Sequence, residues 1–224
     1  MDIIQAIQQR RSIREFTKKR IPANVLKTIL ECGLQAPSSK NSNPWFFVVT
    51  KGKTKNQIAA WIEENAKSRL VRGPTDARTG KMAEGAFDST AESVTTIRSA
   101  FAYIIVFNRG PLSGGKDEVL KNPRGGRSLY TYMGEIIGIG AAVQNILLAA
   151  KSFGLGAVYM ADSYPAREAV QKALNTKAEM VGSIAIGYPA YSPKPRKIEK
   201  RLVTTWETAK KKGIRMDNFT AMRF

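Results

Sequence analysis

No histidine occurs anywhere in the 224 residues, and cysteine occurs once, as Cys32. The first absence removes triads with an imidazole base, imidazole-ligated zinc and haem held by an imidazole. The second removes disulfide frameworks, CxxC redox pairs and four-cysteine metal or iron–sulfur sites. Cys32 itself lies within a helical apolar pattern and reads as a small core residue rather than a nucleophile. If such a chain does redox chemistry, an organic cofactor must carry the electrons.

Acidic residues are scarce as well: 18 Asp and Glu stand against 36 Lys and Arg, a net charge of +18. A field of that sign draws phosphorylated small molecules, nucleic acid or anionic membranes without choosing among them. The cations fall in several clusters, at residues 18–20, 51–55, 194–201 and 210–215. That spread reads as solvated faces rather than one dedicated nucleic-acid surface. The first thirty residues mix isolated isoleucines with Asp2, Gln5, Gln8, Gln9, Arg10 and Arg11, unlike the apolar core of a signal peptide. The most hydrophobic stretch, 133–150, is interrupted by Glu135, Gln144 and Asn145, so a buried helix is expected there and no membrane association. One cysteine and no export signal make a cytoplasmic location the expectation.

Asp2 followed by Ile3, Ile4 and Ile7 predicts a short capped helix ending near Arg10. Pro22 starts a second helix, with Val25, Leu26, Ile29, Leu30 and Gly33 at helical spacing, ending before Pro37. A polar loop, 38–43, leads into the apolar run 46–50, which predicts a strand buried on both faces. Residues 54–70 read as a helix carrying Ile58, Trp61, Ile62 and Leu70. The chain is then polar and Gly-rich to about residue 95, either a lid or an insertion. A second buried strand is expected at 101–107, followed by a loop to about 127. The long apolar helix 129–153 carries Gly134, Gly138, Gly140, Ala141 and Ala142, which permit close backbone approach. It suits either the centre of a dimer interface or the core of a monomer. Strands at 157–161 and 180–186 flank a helix at 165–174, and helical spacing resumes around Trp206. Strands separated by long helices indicate a layered α+β or α/β architecture.

Four segments offer ligand chemistry. Arg10-Arg11-Ser12-Ile13-Arg14-Glu15-Phe16 sets three guanidiniums and a hydroxyl within five residues, an anion cradle. Basic residues at a helix C-terminus also complement the helix dipole. The loop Ala36-Pro37-Ser38-Ser39-Lys40-Asn41-Ser42-Asn43-Pro44-Trp45 supplies hydroxyls and amides for a heterocycle or polyol, and is equally rich in ordinary turn formers. Gly154-Leu155-Gly156, running into Tyr159, Met160 and Ala161, brings backbone N–H groups close to a ligand. In Pro193-Lys194-Pro195-Arg196-Lys197, Lys194 and Arg196 alternate and can point the same way in extended chain.

In this order, the four segments resemble the FMN-dependent nitroreductase family over about residues 1–200. The resemblance implies an α+β fold, a central mixed or antiparallel sheet flanked by helices, in an intertwined homodimer with FMN at the interface. Residues 1–200 would form the FMN-binding domain, with an insertion or lid about 66–97. Residues 201–224 would be a C-terminal extension packing on the partner. Carried over by position, Arg10, Arg11, Ser12 and Arg14 hold the phosphate and part of the ring, and Lys194 and Arg196 close the phosphate site. Pro37, Ser38, Ser39 and Asn41 come from the other protomer. Tyr159, Met160 and Ala161 pass over the ring, with the Ala161 N–H toward flavin N5. Asn43 stands where many relatives have glutamine, and Ala161-Asp162 replaces the Glu-Gly pair of one branch.

The activity implied is NAD(P)H-dependent reduction of nitroaromatics, quinones or similar acceptors, by ping-pong hydride transfer through FMN. NADH or NADPH is the donor and a small molecule the acceptor. A specialised flavoenzyme of the same fold, a flavin-sensing module and a basic nucleic-acid-binding protein without catalysis are the competing readings.

Overall fold

The computed structural model describes residues 1–66, 70–72, 86–121 and 129–195. In chain order they form α1 (Ile3–Gln9), α2 (Ala23–Leu34), a 3₁₀ turn (Ser39–Asn41), β1 (Trp45–Lys51) and α3 (Gly52–Asn65). Next come β2 (Leu70–Arg72), β3 (Ala86–Asp88), α4 (Ser89–Ser99), β4 (Ala102–Asn108), α5 (Lys116–Lys121) and α6 (Leu129–Ser152). β5 (Gly156–Met160), a 3₁₀ turn (Tyr164–Ala166), α7 (Arg167–Ala173) and β6 (Glu179–Gly187) complete them. The main sheet runs β1-β4-β6-β5, every pair antiparallel, and β2 pairs with β3 in a small antiparallel ribbon.

Alternation along the strands divides the core into two layers. On one face Ile104, Val106, Ile184, Ile186 and Ala157 pack against α2 and α6 through Leu26, Ile29, Ile139, Ala142 and Ile146. On the other, Tyr103, Ile105, Phe107, Val158 and Met160 meet Ile58 and Ile62 of α3, Val94 and Ile97 of α4 and Val170 of α7. β4 has apolar neighbours on both faces and is buried throughout, which is why its sequence is a continuous apolar run. β1 has a similar composition but lies at the sheet edge: Phe46 is 55% exposed and its next three residues are half-buried. The expectation of burial on both faces is met only in part for β1: Phe47 and Val49 pack toward one layer and Val48 toward the other, all half-buried, because composition does not distinguish an edge from a centre.

Local chemistry explains several helix ends. Asp2 caps α1 by accepting from the Gln5 N–H at 2.9 Å. Asp88 caps α4, accepting from the Thr90 and Ala91 N–H groups. At the other end of α4, buried Lys55 donates to the Ile97 and Arg98 carbonyls at 2.8 and 2.7 Å, and burial pulls its pKa down. Three local differences from the sequence reading stand out. Leu70 belongs to β2 rather than to the preceding helix, which ends at Asn65. Residues 89–95, expected within a polar lid or insertion, belong to α4 and bury Ser93 and Val94. The expected loop after β4 contains α5, with Asp117 and Glu118 in its first turn and Lys121 in its last, as the helix dipole favours. The rest of the expected lid, 67–69 and 73–85, and the C-terminal extension 201–224 lie outside the described residues.

α6 is long and apolar enough to cross a membrane by length and composition. Here it packs on α2 and the sheet, and Gly33 of α2 makes that approach possible: a Cβ there would stand 2.7 Å from Ile146. Glu135, wholly buried, faces four donors.

Candidate functional site

The Arg10–Phe16 segment is not a free loop. Ser12 bridges to Ala157 of β5, the Ile13 N–H donates to the Ala157 carbonyl at 3.2 Å, and Phe16 bridges to Pro189 beyond β6. The Thr17 N–H donates to the Tyr188 carbonyl, and the Ala190 N–H to the Glu15 carbonyl. Two glycines make room for the segment's anchors. A Cβ on Gly156 would lie 2.7 Å from Ile13, and one on Gly187 would lie 2.8 Å from Phe16. We therefore expect Gly156→Ala to cost about 1–3 kcal/mol, the usual range for an overpacked core. An unchanged urea midpoint would mean that Ile13 simply swings aside.

This stitching joins two cationic stretches remote in sequence. The Arg11 guanidinium donates to the Lys194 carbonyl at 2.7 Å. Beside it lies a cleft of about 160 Å3 whose walls include Arg10, Arg11, Lys151, Leu147 and Pro193 and, among the described residues, no carboxylate. Arg10 is the residue that caps the C-terminus of α1. Arg14 turns the other way, its Nε paired with Glu92 of α4 at 3.0 Å. Arg196 lies outside the described residues.

Leu147 also lines a second, larger cavity of about 740 Å3 between α6 and the sheet. Its walls are mostly apolar, among them Ile136, Ile139, Val143 and Val181, with Tyr132, Tyr159 and Tyr164. Tyr159, 41% exposed, lies over Gly182 and donates its hydroxyl to the Val181 carbonyl at 2.8 Å. Burial raises its pKa. Tyr132 donates to Glu179 at 2.8 Å, and burial followed by that carboxylate pushes its phenol well above the ordinary range. Met160 is different: its side chain packs in the opposite core layer, so only its backbone faces this side. Ala161 follows at the exposed end of β5.

Pro37, Ser38 and Ser39 sit on α6, close above Gly134 and Gly138; a Cβ on Gly138 would be 3.3 Å from Ser38 and 3.4 Å from the Pro37 carbonyl. The loop braces itself: the Asn43 N–H donates to Ser38 Oγ at 2.9 Å, and the Asn43 amide to the Asn41 carbonyl at 3.1 Å. Lys40, Asn41 and Asn43 all take positive φ. Arg109, just beyond β4, clamps the loop from below through the Asn43 carbonyl at 2.7 Å. At about 100° per residue, Gly134 and Gly138 lie nearly half a turn of the helix away from Ile136, Gly140, Val143 and Leu147. The hydroxyl loop and the groove thus occupy opposite sides of α6. Within one protomer they do not face each other.

Sequence reasoning missed Lys151, Arg109, Glu92 and the Tyr132–Glu179 pair. Only Lys151 carried a signal, a cation immediately ahead of the Gly154-Leu155-Gly156 turn.

Residues 7–188 match the model of the Nitroreductase family. A Thermus thermophilus protein named NADH dehydrogenase is 27% identical over 197 residues, covering 85% of this chain and 88% of its own. A 4-nitrobenzoate reductase from a Nocardioides species is 26% identical over 202 residues, covering 81% and 78%. Among solved structures, a Desulfovibrio desulfuricans protein assigned as a nitroreductase, in complex with FMN, superposes with a TM-score of 0.65 at 25% identity. That match covers 92% of this chain and 96% of the other.

Proposed function

Because the chain belongs to the nitroreductase family, we propose that it is a homodimeric FMN-dependent NAD(P)H oxidoreductase that reduces nitroaromatics, quinones or similar acceptors by a ping-pong route. The observation that carries this reading is the meeting of Arg11 with Lys194 beside a cleft with no carboxylate among its described lining residues, joined through Leu147 to an apolar groove. A cationic end and an apolar, tyrosine-rimmed length suit a phosphorylated planar heterocycle. FMN, when bound, supplies the hydride-carrying N5, so that nicotinamide and acceptor use one face in turn.

The chain's own residues do the holding. Arg10, Arg11, Ser12 and Lys194 form the phosphate end, with Arg196 continuing it. Arg14 keeps its Nη groups for the pyrimidine edge of the ring while Glu92 fixes its Nε. Positive charge at that edge favours the reduced cofactor. Tyr159, the Met160 backbone and Ala161 form the wall along the ring. Pro37, Ser38, Ser39 and Asn41 reach the cofactor from a second copy, because their own groove lies across α6. Exposed apolar residues on α6 (Tyr130, Met133 and Ile137) and on α1 (Ile3, Ile4 and Ile7) supply the surface that a second copy would cover. The reducing, nicotinamide-rich cytoplasm suits a chain with one cysteine.

The purified protein should be yellow, and anaerobic NADH or NADPH should bleach it before a nitroaromatic or quinone restores the colour. A protein that stays colourless after FMN is added defeats the flavin reading. Colour that neither nicotinamide bleaches defeats the reductase assignment.

A further inference from the structure

The cleft at the C-terminal end of α6 holds a charge outside the four motif segments. Lys151, in the last turn of α6, shares the cleft walls with Arg10 and Arg11. No hydrogen bond or ion pair joins its ammonium to any described residue, whereas Arg11 is tied to the Lys194 carbonyl. A lysine at a helix C-terminus is favoured by the dipole, but that does not require it to line the same cleft as two arginines. Three cations from α1, the segment after it and α6 line a cleft of about 160 Å3 that has no Asp or Glu among its described lining residues.

Leu147 lies one helical turn before Lys151 and lines both the cleft and the apolar groove. The Lys151 Cα therefore stands about 6 Å further along the α6 axis than that of Leu147, which lies at the junction of the two cavities.

We infer that Lys151 is a further cofactor-binding residue, donating to the terminal phosphate monoester of FMN opposite Arg10 and Arg11; this rests on the flavin reading above. Lysine contributes as a movable point charge where the arginines supply fixed forks. Affinity for the phosphorylated flavin then depends on Lys151, and affinity for the same ring without phosphate does not.

The test uses the full-length protein freed of flavin and titrated with FMN and with riboflavin, following flavin fluorescence. Lys151→Met keeps the aliphatic stem and removes the charge. It should weaken FMN binding about tenfold or more, as loss of a charge-assisted contact does, and leave riboflavin binding within twofold. Lys151→Arg should recover most of the FMN affinity. Unchanged FMN affinity in Lys151→Met overturns the inference, and equal weakening of both flavins shows a packing role instead. Wild-type protein that binds both flavins equally keeps the flavin reading but removes the phosphate role of the cleft. Wild-type protein that binds neither sinks the flavin reading itself.

Discussion

Glu135→Ala should lower the stability of the fold by about 3–5 kcal/mol, the loss expected when one partner of a buried charged network is removed. The carboxylate is fully buried in the second turn of α6 and accepts from four donors. Oε1 takes the Leu112 and Ser113 N–H groups at 2.8 and 3.0 Å. Oε2 takes the Asn108 amide at 3.1 Å and the Ser113 hydroxyl. Truncation leaves four donors without their acceptor, three of them buried, a larger cost than the loss of the contacts alone. Glu135→Gln keeps one acceptor oxygen and should lose less, about 1–3 kcal/mol. Urea unfolding followed by circular dichroism measures both.

The consequence should reach the candidate site. Asn108 and residues 112–115 form the turn held by Glu135, and Arg109 in that turn grips the Ser42 and Asn43 carbonyls. Amide exchange should therefore quicken at Leu112 and Ser113, and to a smaller degree at Ser42 and Asn43. If Glu135→Ala costs less than about 1 kcal/mol, water replaces the carboxylate and the turn is not held as described.

Glu135 also illustrates what could be read from the sequence and what could not. As a letter it marks α6 as too polar for lipid, and that reading agrees with a helix packed on α2 and the sheet. Its partners lie 22 to 27 residues earlier in a glycine-rich turn, and no local pattern links them. The same division holds elsewhere. The spacing of Val25, Leu26, Ile29 and Leu30 is a local property, and α2 forms where expected. Whether Phe46-Phe47-Val48-Val49 sits at an edge or a centre depends on which strands arrive later, so the expectation was met only in part for β1 and in full for β4. α5 has six residues and only Val119 buried, too little apolar periodicity to rise above its Gly, Pro and Lys surroundings. The site divides in the same way. Residue type marked Arg11 and Lys194 as anion binders, and the structure ties the two together. Type alone did not reveal that Arg14 pairs with Glu92, that Met160 points into the other layer, or that Lys151 lines one cleft with Arg10.

Those contacts rank the cations, and the ranking leads to the largest functional effect expected. Arg10→Ala/Arg11→Ala should weaken FMN binding by about 10²–10⁴-fold, since two hydrogen bonds to a charged phosphate are worth about 3–6 kcal/mol together. Riboflavin affinity should change only a few-fold. Arg14→Ala combined with Lys194→Ala should also release FMN, but with a weaker contrast between the two flavins, because Arg14 is paired with Glu92 rather than lining the cleft with Arg10 and Arg11. Lys194→Ala alone isolates the amine: Arg11 binds the Lys194 backbone carbonyl, so the tie between the two stretches survives the substitution. Raising salt should weaken FMN binding in the wild type and have less effect in the double arginine variant, because fewer exposed charges remain to be screened. Should the Arg10/Arg11 variant lose riboflavin as severely as FMN, the arginines hold the segment in place rather than the phosphate. Retention of full FMN affinity would place the phosphate elsewhere, and the convergence of Arg11 with Lys194 would then be a structural clasp between the two ends of the domain.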